Sequence, residues 1–263
     1  SAAPDHSSTN VQVQGVDEAD VVKTDGEYIY RVSGQRLAVV KAWPADSMEV
    51  AAVLDYTEED LIPLEIYLYR QRLVVIGGGQ AYIPDCGNGK GADQNTSRVL
   101  VYDLSDREDI KLLREVEIEG SYLSSRMIES ALYVVAGKSL NTRLICEGQA
   151  NPVPSYRDSL YGGGFKNMDY EEISYFPGIP ERNYLITAGI DVDEAGPLNI
   201  DAYLGAGLNI YASAEHLYIA AVGCETYVSE ENRPLDEAGK KMPVYRENTL
   251  IYKFALTDAE VTY

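Results

Sequence analysis

The sequence predicts an all-β chain made of about four repeats of one four-stranded antiparallel unit. Three observations carry that prediction. Aromatic residues are 21 Tyr against 3 Phe and 1 Trp, and Tyr favours half-buried pleated surfaces whose hydroxyls reach water. Short alternating or continuous apolar runs of strand length recur in groups of four. One phrase, an alternating strand, a tight turn and then Leu followed by two hydrophobic residues, returns at the same offset in IYLYRQRLVVI and IYASAEHLYIA.

The groups follow in chain order. The first is Asp20 to Asp25, Glu27 to Ser33, the turn Gly34-Gln35, Arg36 to Ala42 and Met48 to Tyr56. The second is Leu64 to Tyr69, the turn Arg70-Gln71, Arg72 to Gly78, a long polar segment, Arg98 to Leu104 and Lys111 to Ile118. The third has Ser124 to Ser130, Ala131 to Gly137, a long insertion, Asn183 to Val192 and Pro197 to Gly205. The fourth has Asn209 to Ser213, His216 to Val222, another long segment, Thr249 to Leu256 and Glu260 to Tyr263.

Four hairpin-linked groups that repeat their own phrasing describe a β-propeller, because a sandwich does not repeat itself. The predicted organisation is a tail over 1–15 and blades over about 16–60, 61–119, 120–205 and 206–263. The first strand of each group is expected on the central axis and the fourth at the rim. With strands alternating in direction, second-to-third connections leave one face and first-to-second turns the other. The segments 79–97, 138–183 and 223–248 are therefore expected to project from a single face as loops, where binding usually sits. The Gly triplets of IGGGQAY and YGGGFKN both read as flexible loop, since neither continues as G-x-G-x-x-G into a helix.

Charge excludes several functions. With 22 Lys+Arg against 42 Asp+Glu the net charge is −20, so a nucleic acid or an anionic membrane would be repelled. No run approaches the roughly 18 to 20 apolar residues of a membrane-spanning helix. Val16 to Asp20 contains the letters of the helicase D-E-A-D motif, but no G-x-x-x-x-G-K-[ST] accompanies it. The chain has 2 His, His6 and His216, and no G-x-S-x-G elbow, which removes the base and nucleophile that acyl-transfer hydrolysis needs. No signal peptide is visible. No cofactor is expected. A cation held by Asp17, Glu18 and Asp20, or by Asp191 and Asp193 in the D-x-D start of Ile190 to Gly196, is the weaker reading. The second stretch lacks the further donors of a calcium loop, and a solvated acidic segment explains both.

Four further phrases look familiar together: QGVDEADVVKTDGEYIY from Gln14, VYDLSDRED from Val101, EGSYLSSRM from Glu119 and YFPGIPERNY from Tyr175. In this order they resemble a family of bacterial and archaeal secreted proteins with a β-propeller domain distantly related to WD repeats, from about Val11 onward. The resemblance implies a propeller fold and an extracellular or cell-envelope setting, and it carries over no catalytic residue. Family domains continue past the position of Tyr263, so the chain resembles the N-terminal half of a larger ring. Open end blades then expose unpaired faces, which predicts association of two copies.

Site candidates come from the insertions. Loop tyrosines can stack on sugars or anchor a peptide, which singles out Tyr82, Tyr156, Tyr161, Tyr170, Tyr175, Tyr227 and Tyr245. Cys86, Cys146 and Cys224 each follow the second strand of their group on one face. They allow a bridge from Cys146 to Cys86 or to Cys224 in an oxidising compartment, or three separate thiols. The functional reading is an extracytoplasmic, non-enzymatic binding module for a protein, peptide or glycan. The alternative is a hydrolase or metal-dependent enzyme completed by blades outside this chain.

Overall fold

The computed structural model describes residues 17–84, 91–176, 182–205, 209–213, 215–227 and 244–263, with 222–227 and 244–247 described as backbone only. Sheet I holds β1 (Val22–Thr24), β2 (Tyr28–Ser33), β3 (Arg36–Lys41) and β4 (Glu49–Asp55) in sequential antiparallel order. Sheet II begins with β5 (Leu61–Tyr69), β6 (Arg72–Pro84), β7 (Gly91–Asp103) and β8 (Lys111–Glu119). Next come β9 (Ser121–Ile128) and β10 (Ala131–Ser139) of sheet III, after which the chain makes an excursion. A short helix α1 (Thr142–Cys146) leads to β11 (Ser155–Asp158) and β12 (Lys166–Asn167), which add to the β8 edge of sheet II. Then β13 (Ile173–Tyr175) pairs in parallel with β15 (Asn199–Leu204), and β14 (Asn183–Asp191) lies between β10 and β15. Sheet IV is β16 (Asn209–Ala212), β17 (His216–Tyr227), β18 (Val244–Thr257) and β19 (Glu260–Thr262).

The period of two along a strand assigns alternate residues to different cores. In β6, Leu73 and Val75 pack with Leu37 and Val39 of sheet I, whereas Val74 and Ile76 pack with Val134 and Ile186 of sheet III. In β10, Leu132 and Val134 face sheet II, and Tyr133 and Val135 meet Leu217 and Phe254 of sheet IV. Middle sheets covered on both faces therefore read as continuous apolar runs. Three cores separate four consecutive sheets, and each fully buried aliphatic side chain contributes roughly 1.5–3 kcal/mol.

The first strands of sheets II and III share one neighbour. Asp17 exchanges backbone hydrogen bonds with Met127 of β9 (2.8 and 3.2 Å), and Asp20 with Ile66 of β5 (3.4 and 2.8 Å), before the chain enters β1. The acidic stretch thus crosses the β9 edge of sheet III and the β5 edge of sheet II, and Lys23 Nζ returns to Asp17 Oδ1 at 2.7 Å. Tight turns bring φ into the left-handed region, as at Arg70 (52°) and at Asp258 and Ala259 (49° and 62°), the geometry that matches strand twist in a two-residue hairpin.

Three expectations need correction. Most of the segment 79–97, and the described ends of 223–248, are hairpin rather than loop: β6 and β7 stay in register to Pro84 and Gly91, and β17 and β18 to Tyr227 and Val244. The first Gly triplet lies inside β6, paired with Arg98 to Thr96. The insertion 138–183 does not stand off a face. Its described strands lie along the β8 edge of sheet II and the β15 edge of sheet III, which offer free backbone groups, so these two sheets have six and five strands.

Candidate functional site

The insertion forms a belt held down by charge as much as by backbone pairing. Arg114 of β8 grips Asp158 of β11 with two hydrogen bonds, Nε to Oδ1 at 3.2 Å and Nη2 to Oδ2 at 2.7 Å, and both side chains are buried. Such a fork is the strongest geometry an ion pair adopts. Beside it Arg157 donates to Glu117 at 2.6 Å and to Glu115 at 3.1 Å. Glu117 is fully buried and also accepts from Thr96 Oγ1 at 2.5 Å, with Arg98 Nε at 3.0 Å.

At the far end of β8, Glu119 meets Lys138 of β10 at 2.8 Å and accepts the backbone N–H of Ser155 at 3.0 Å. Lys138 Nζ donates further to the carbonyls of Asn151 and Val153 at 3.0 and 2.7 Å. Burial lowers its pKa below the ordinary lysine range, and the Glu119 carboxylate only partly restores it. Asn151 Nδ2 reaches Pro84 O at 3.1 Å, tying the belt to the β6–β7 hairpin. Met168 enters the core between sheets II and III, and Phe176 the core between sheets III and IV, 3.8 Å between ring centroids from Tyr252.

Between the belt and the β14–β15 connection lies a cavity of about 330 Å³, lined by Tyr156, Asp158, Tyr161, Gly164, Lys166, Pro197 and Leu198. Burial raises the Tyr156 hydroxyl pKa, and Glu172, Asp169 and Asp158 add to it. Arg114 neutralises Asp158 from beneath, leaving Lys166 as the cation among the lining residues. The second Gly triplet forms a turn here: Gly162 and Gly163 have φ of 100° and 67°, and a Cβ at 162, 163 or 164 would meet open space. Two rings, an ammonium and a paired carboxylate can stack on and hydrogen-bond a planar or polar ligand group.

The structure thus brings together Tyr156 and Tyr161. Tyr170 and Tyr175 lie on the same belt, 70% and 72% exposed, outside the cavity lining. Tyr82 is exposed on the β6–β7 hairpin, opposite Asp93. Tyr227 and Tyr245 fall in the paired β17–β18 ribbon, and their side chains lie outside the described residues. Cys146 ends α1 as an exposed thiol. Cys86 lies outside the described residues, as does the side chain of Cys224.

The acidic candidates have local partners. Asp17 pairs with Lys23, and Glu18 approaches Arg126 at 3.7 Å, while Asp20 Oδ1 accepts the N–H of Val21 at 2.7 Å. Asp191 accepts the backbone N–H groups of Asp193 and Glu194, both at 2.8 Å, and Ser130 Oγ at 2.9 Å. Burial opposes its ionisation, but these donors and the charge of Arg114 outweigh it and hold the carboxyl below the usual range. Asp193 bridges to Arg70 at 2.8 Å and Arg72 at 3.5 Å, joining sheets III and II. Among the described residues no group of three or more His, Cys, Asp or Glu is placed to hold a metal.

Sequence reasoning missed the buried charges of β8 and their partners. The signal was present: KLLREVEIEG places Arg114, Glu115, Glu117 and Glu119 inside a strand, where charges demand partners.

An uncharacterised protein of Methanocaldococcus jannaschii is 29% identical over 133 residues, 51% of this chain and 17% of that protein. An uncharacterised protein of Archaeoglobus fulgidus is 23% identical over 150 residues, 52% of this chain and 20% of that one. The matched stretch is thus about a fifth of the length of these relatives. Among solved structures, the N-terminal domain of Nup159 aligns over 95% of this chain and 61% of its own, at 9% identity and a TM-score of 0.33. A family model described as beta propeller domain matches residues 6–263. The chain belongs to the beta propeller domain family.

Proposed function

We propose that this chain is part of an extracytoplasmic interaction module whose belt receives a protein, peptide or glycan partner at the cell surface. The observation that carries the reading is the convergence of Tyr156 and Tyr161 on one cavity of about 330 Å³ beside Lys166. Rigid aromatic rings on a scaffold that excludes water are the usual anchors of such contacts, and propellers commonly serve protein interaction. Binding of the purified protein to peptide and glycan arrays tests it. Tyr161→Ala, exposed and therefore tolerated by the fold, is expected to remove the strongest signals, and an unchanged binding profile would sink the reading. Turnover of a generic ester, glycoside or peptide by the purified protein would favour the enzymatic alternative instead.

The four sheets are read as four blades of a larger ring, with limits near residues 60, 119 and 205. The outward face of sheet IV supports this, since Tyr211, Tyr218, Ala220 and Ile251 line an uncovered recess of about 240 Å³. Val50 and Val53 stand similarly exposed on sheet I. The proposed cover for these end faces is a second copy of the chain.

A further inference from the structure

A second recess, open to solvent and of about 240 Å³, lies on the seam between sheets II and III and takes no part in the belt site. Its wall includes Gly78 and Gly79 of β6, Asn95 and Thr96 of β7, and Ser121 and Tyr122 of β9. The Gly triplet of β6 explains its shape. A Cβ on Gly77 would sit 2.6 Å from Leu61 Cδ1 and 2.8 Å from Ile62 O, and one on Gly79 would sit 2.7 Å from Asp60 O. Those two glycines are required by the close approach of β5 and the turn before it.

Gly78 has no such requirement. A Cβ there would find nothing nearer than Leu64 Cδ1 and Thr96 O, both at 3.9 Å, which is ordinary contact distance. Glycine in a strand interior weakens it through backbone entropy and a missing side chain, so its presence at 78 has a cost that packing does not explain. A side chain there would take up part of the recess that Gly78 lines.

The wall is chemically specific. None of its residues is charged, although the chain carries −20. Tyr122 is fixed: its hydroxyl donates to Glu65 and shares a hydrogen bond of 2.7 Å with Ser125 Oγ, which meets Tyr67 Oη at 2.9 Å. Its ring is therefore a rigid platform. Asn95 is held only loosely, accepting from Gln80 Nε2 at 3.3 Å and reaching Ser121 Oγ at 3.4 Å, so its amide and the Ser121 hydroxyl retain unused hydrogen-bonding capacity. The volume is below the roughly 300–1,000 Å³ of sites for drug-sized ligands and suits an occupant of about one ring. A small ring that carries no charge, stacks on an aromatic face and offers several hydrogen-bonding groups is a neutral sugar.

We propose that this seam cavity binds one neutral saccharide residue, and that Gly78 is kept as glycine to leave room for it. Saturation-transfer NMR of the whole chain with glucose, galactose, mannose and N-acetylglucosamine, with glucuronate as the charged control, tests this. Saturable binding of at least one neutral sugar, tighter than that of glucuronate, is expected. Gly78→Val, with a strand-favouring side chain, is expected to keep the wild-type melting temperature and to weaken that sugar at least tenfold. Asn95→Ala and Ser121→Ala, both at exposed positions, are expected to weaken it several-fold and carry the test should Gly78→Val misfold. Tyr161→Ala on the belt is expected to leave it unchanged, which separates this cavity from the belt site. Absence of saturable binding by every neutral sugar would overturn the proposal, as would a folded Gly78→Val, or an Asn95→Ala with Ser121→Ala, that binds like the wild type.

Discussion

Sheets II and III bury both faces, whereas sheets I and IV bury one, and the difference is written in single residues. In β6 the four consecutive residues Leu73, Val74, Val75 and Ile76 are all fully buried. In β18 burial alternates: Ile251 is 68% exposed while Phe254 is fully buried. A strand between two cores therefore has no solvent side on which to place its charges. It pairs them instead, as Arg114 with Asp158 and Lys138 with Glu119. A strand in an end sheet leaves its second face to whatever covers it.

The largest expected effect separates the covered seams from everything else through pH. Burial raises the pKa of Tyr102 and Tyr203 to about 12, and pushes Tyr30, Tyr56, Tyr67 and Tyr122 still higher. A group whose pKa is higher in the folded state contributes stability that is intact below its unfolded pKa, near 10, and is lost as pH rises toward the folded value. Each such tyrosine removes about 1.4 kcal/mol per pH unit above 10. Six of them acting together by pH 11 approach the roughly 5–15 kcal/mol total stability of a domain. Cooperative unfolding between about pH 10 and 12, with tyrosinate absorbance and far-ultraviolet circular dichroism changing together, is the expected result. Tyrosines that ionise near pH 10 while the sheets persist would break the account of the seams.

Next in size is the belt clasp. Arg114→Ala or Asp158→Ala leaves one buried charge unpaired, and is expected to cost about 3–5 kcal/mol in urea unfolding. Replacing both with Leu should recover most of that, because the pair's own desolvation then disappears. Equal losses in the single and double variants would mean that the clasp holds the belt by shape, not by charge.

How much of this was legible follows the same division. The repeated phrase and the turns Gly34-Gln35 and Arg70-Gln71 were readable because local sequence determines them. The hairpin extensions were not, since Gln80 to Pro84 and Gly91 to Asn95 lack the apolar alternation of a core-facing strand. They read as loop, yet each residue pairs with its partner across the ribbon. The belt strands are two to four residues long, too short for a periodic signal. They exist because β8 and β15 present free edges, and that information resides in the partner. Tyr156 and Tyr161 stood out by residue type. Lys166, Pro197 and Leu198 did not, because only the fold brings them to the same cavity. Gly78 hid between two glycines that have an ordinary reason to be there.

A smaller effect probes the hydrogen-bonded wall between β5 and β9. Tyr67→Phe removes the hydroxyl that meets Ser125 but leaves Ser125 its bond to Tyr122. The expected loss in urea unfolding is about 0.5–1.5 kcal/mol, the worth of a net hydrogen bond. A loss several times larger would mean that the Glu65, Tyr122, Ser125 and Tyr67 chain acts as one unit, and a double-mutant cycle with Ser125→Ala would measure that coupling.

The smallest effect on stability falls on the open face and carries the most information about it. Ile251 points away from the sheet III–IV core, so Ile251→Asp removes no buried contact within one chain and should shift its stability by no more than about 0.5 kcal/mol. Association is another matter. If a second copy covers the recess around Tyr211, Tyr218 and Ile251, an aspartate placed there is desolvated without a partner on a surface that already carries −20. Sedimentation at micromolar concentration should then show a wild-type dimer and a monomeric variant with the same melting temperature once both are diluted to monomers. A wild-type chain that sediments as a single monomeric species would remove the second copy as the cover. The alternation in β18 would then have to be read as a strand built to face water, with its Tyr and Ile accepted as ordinary surface.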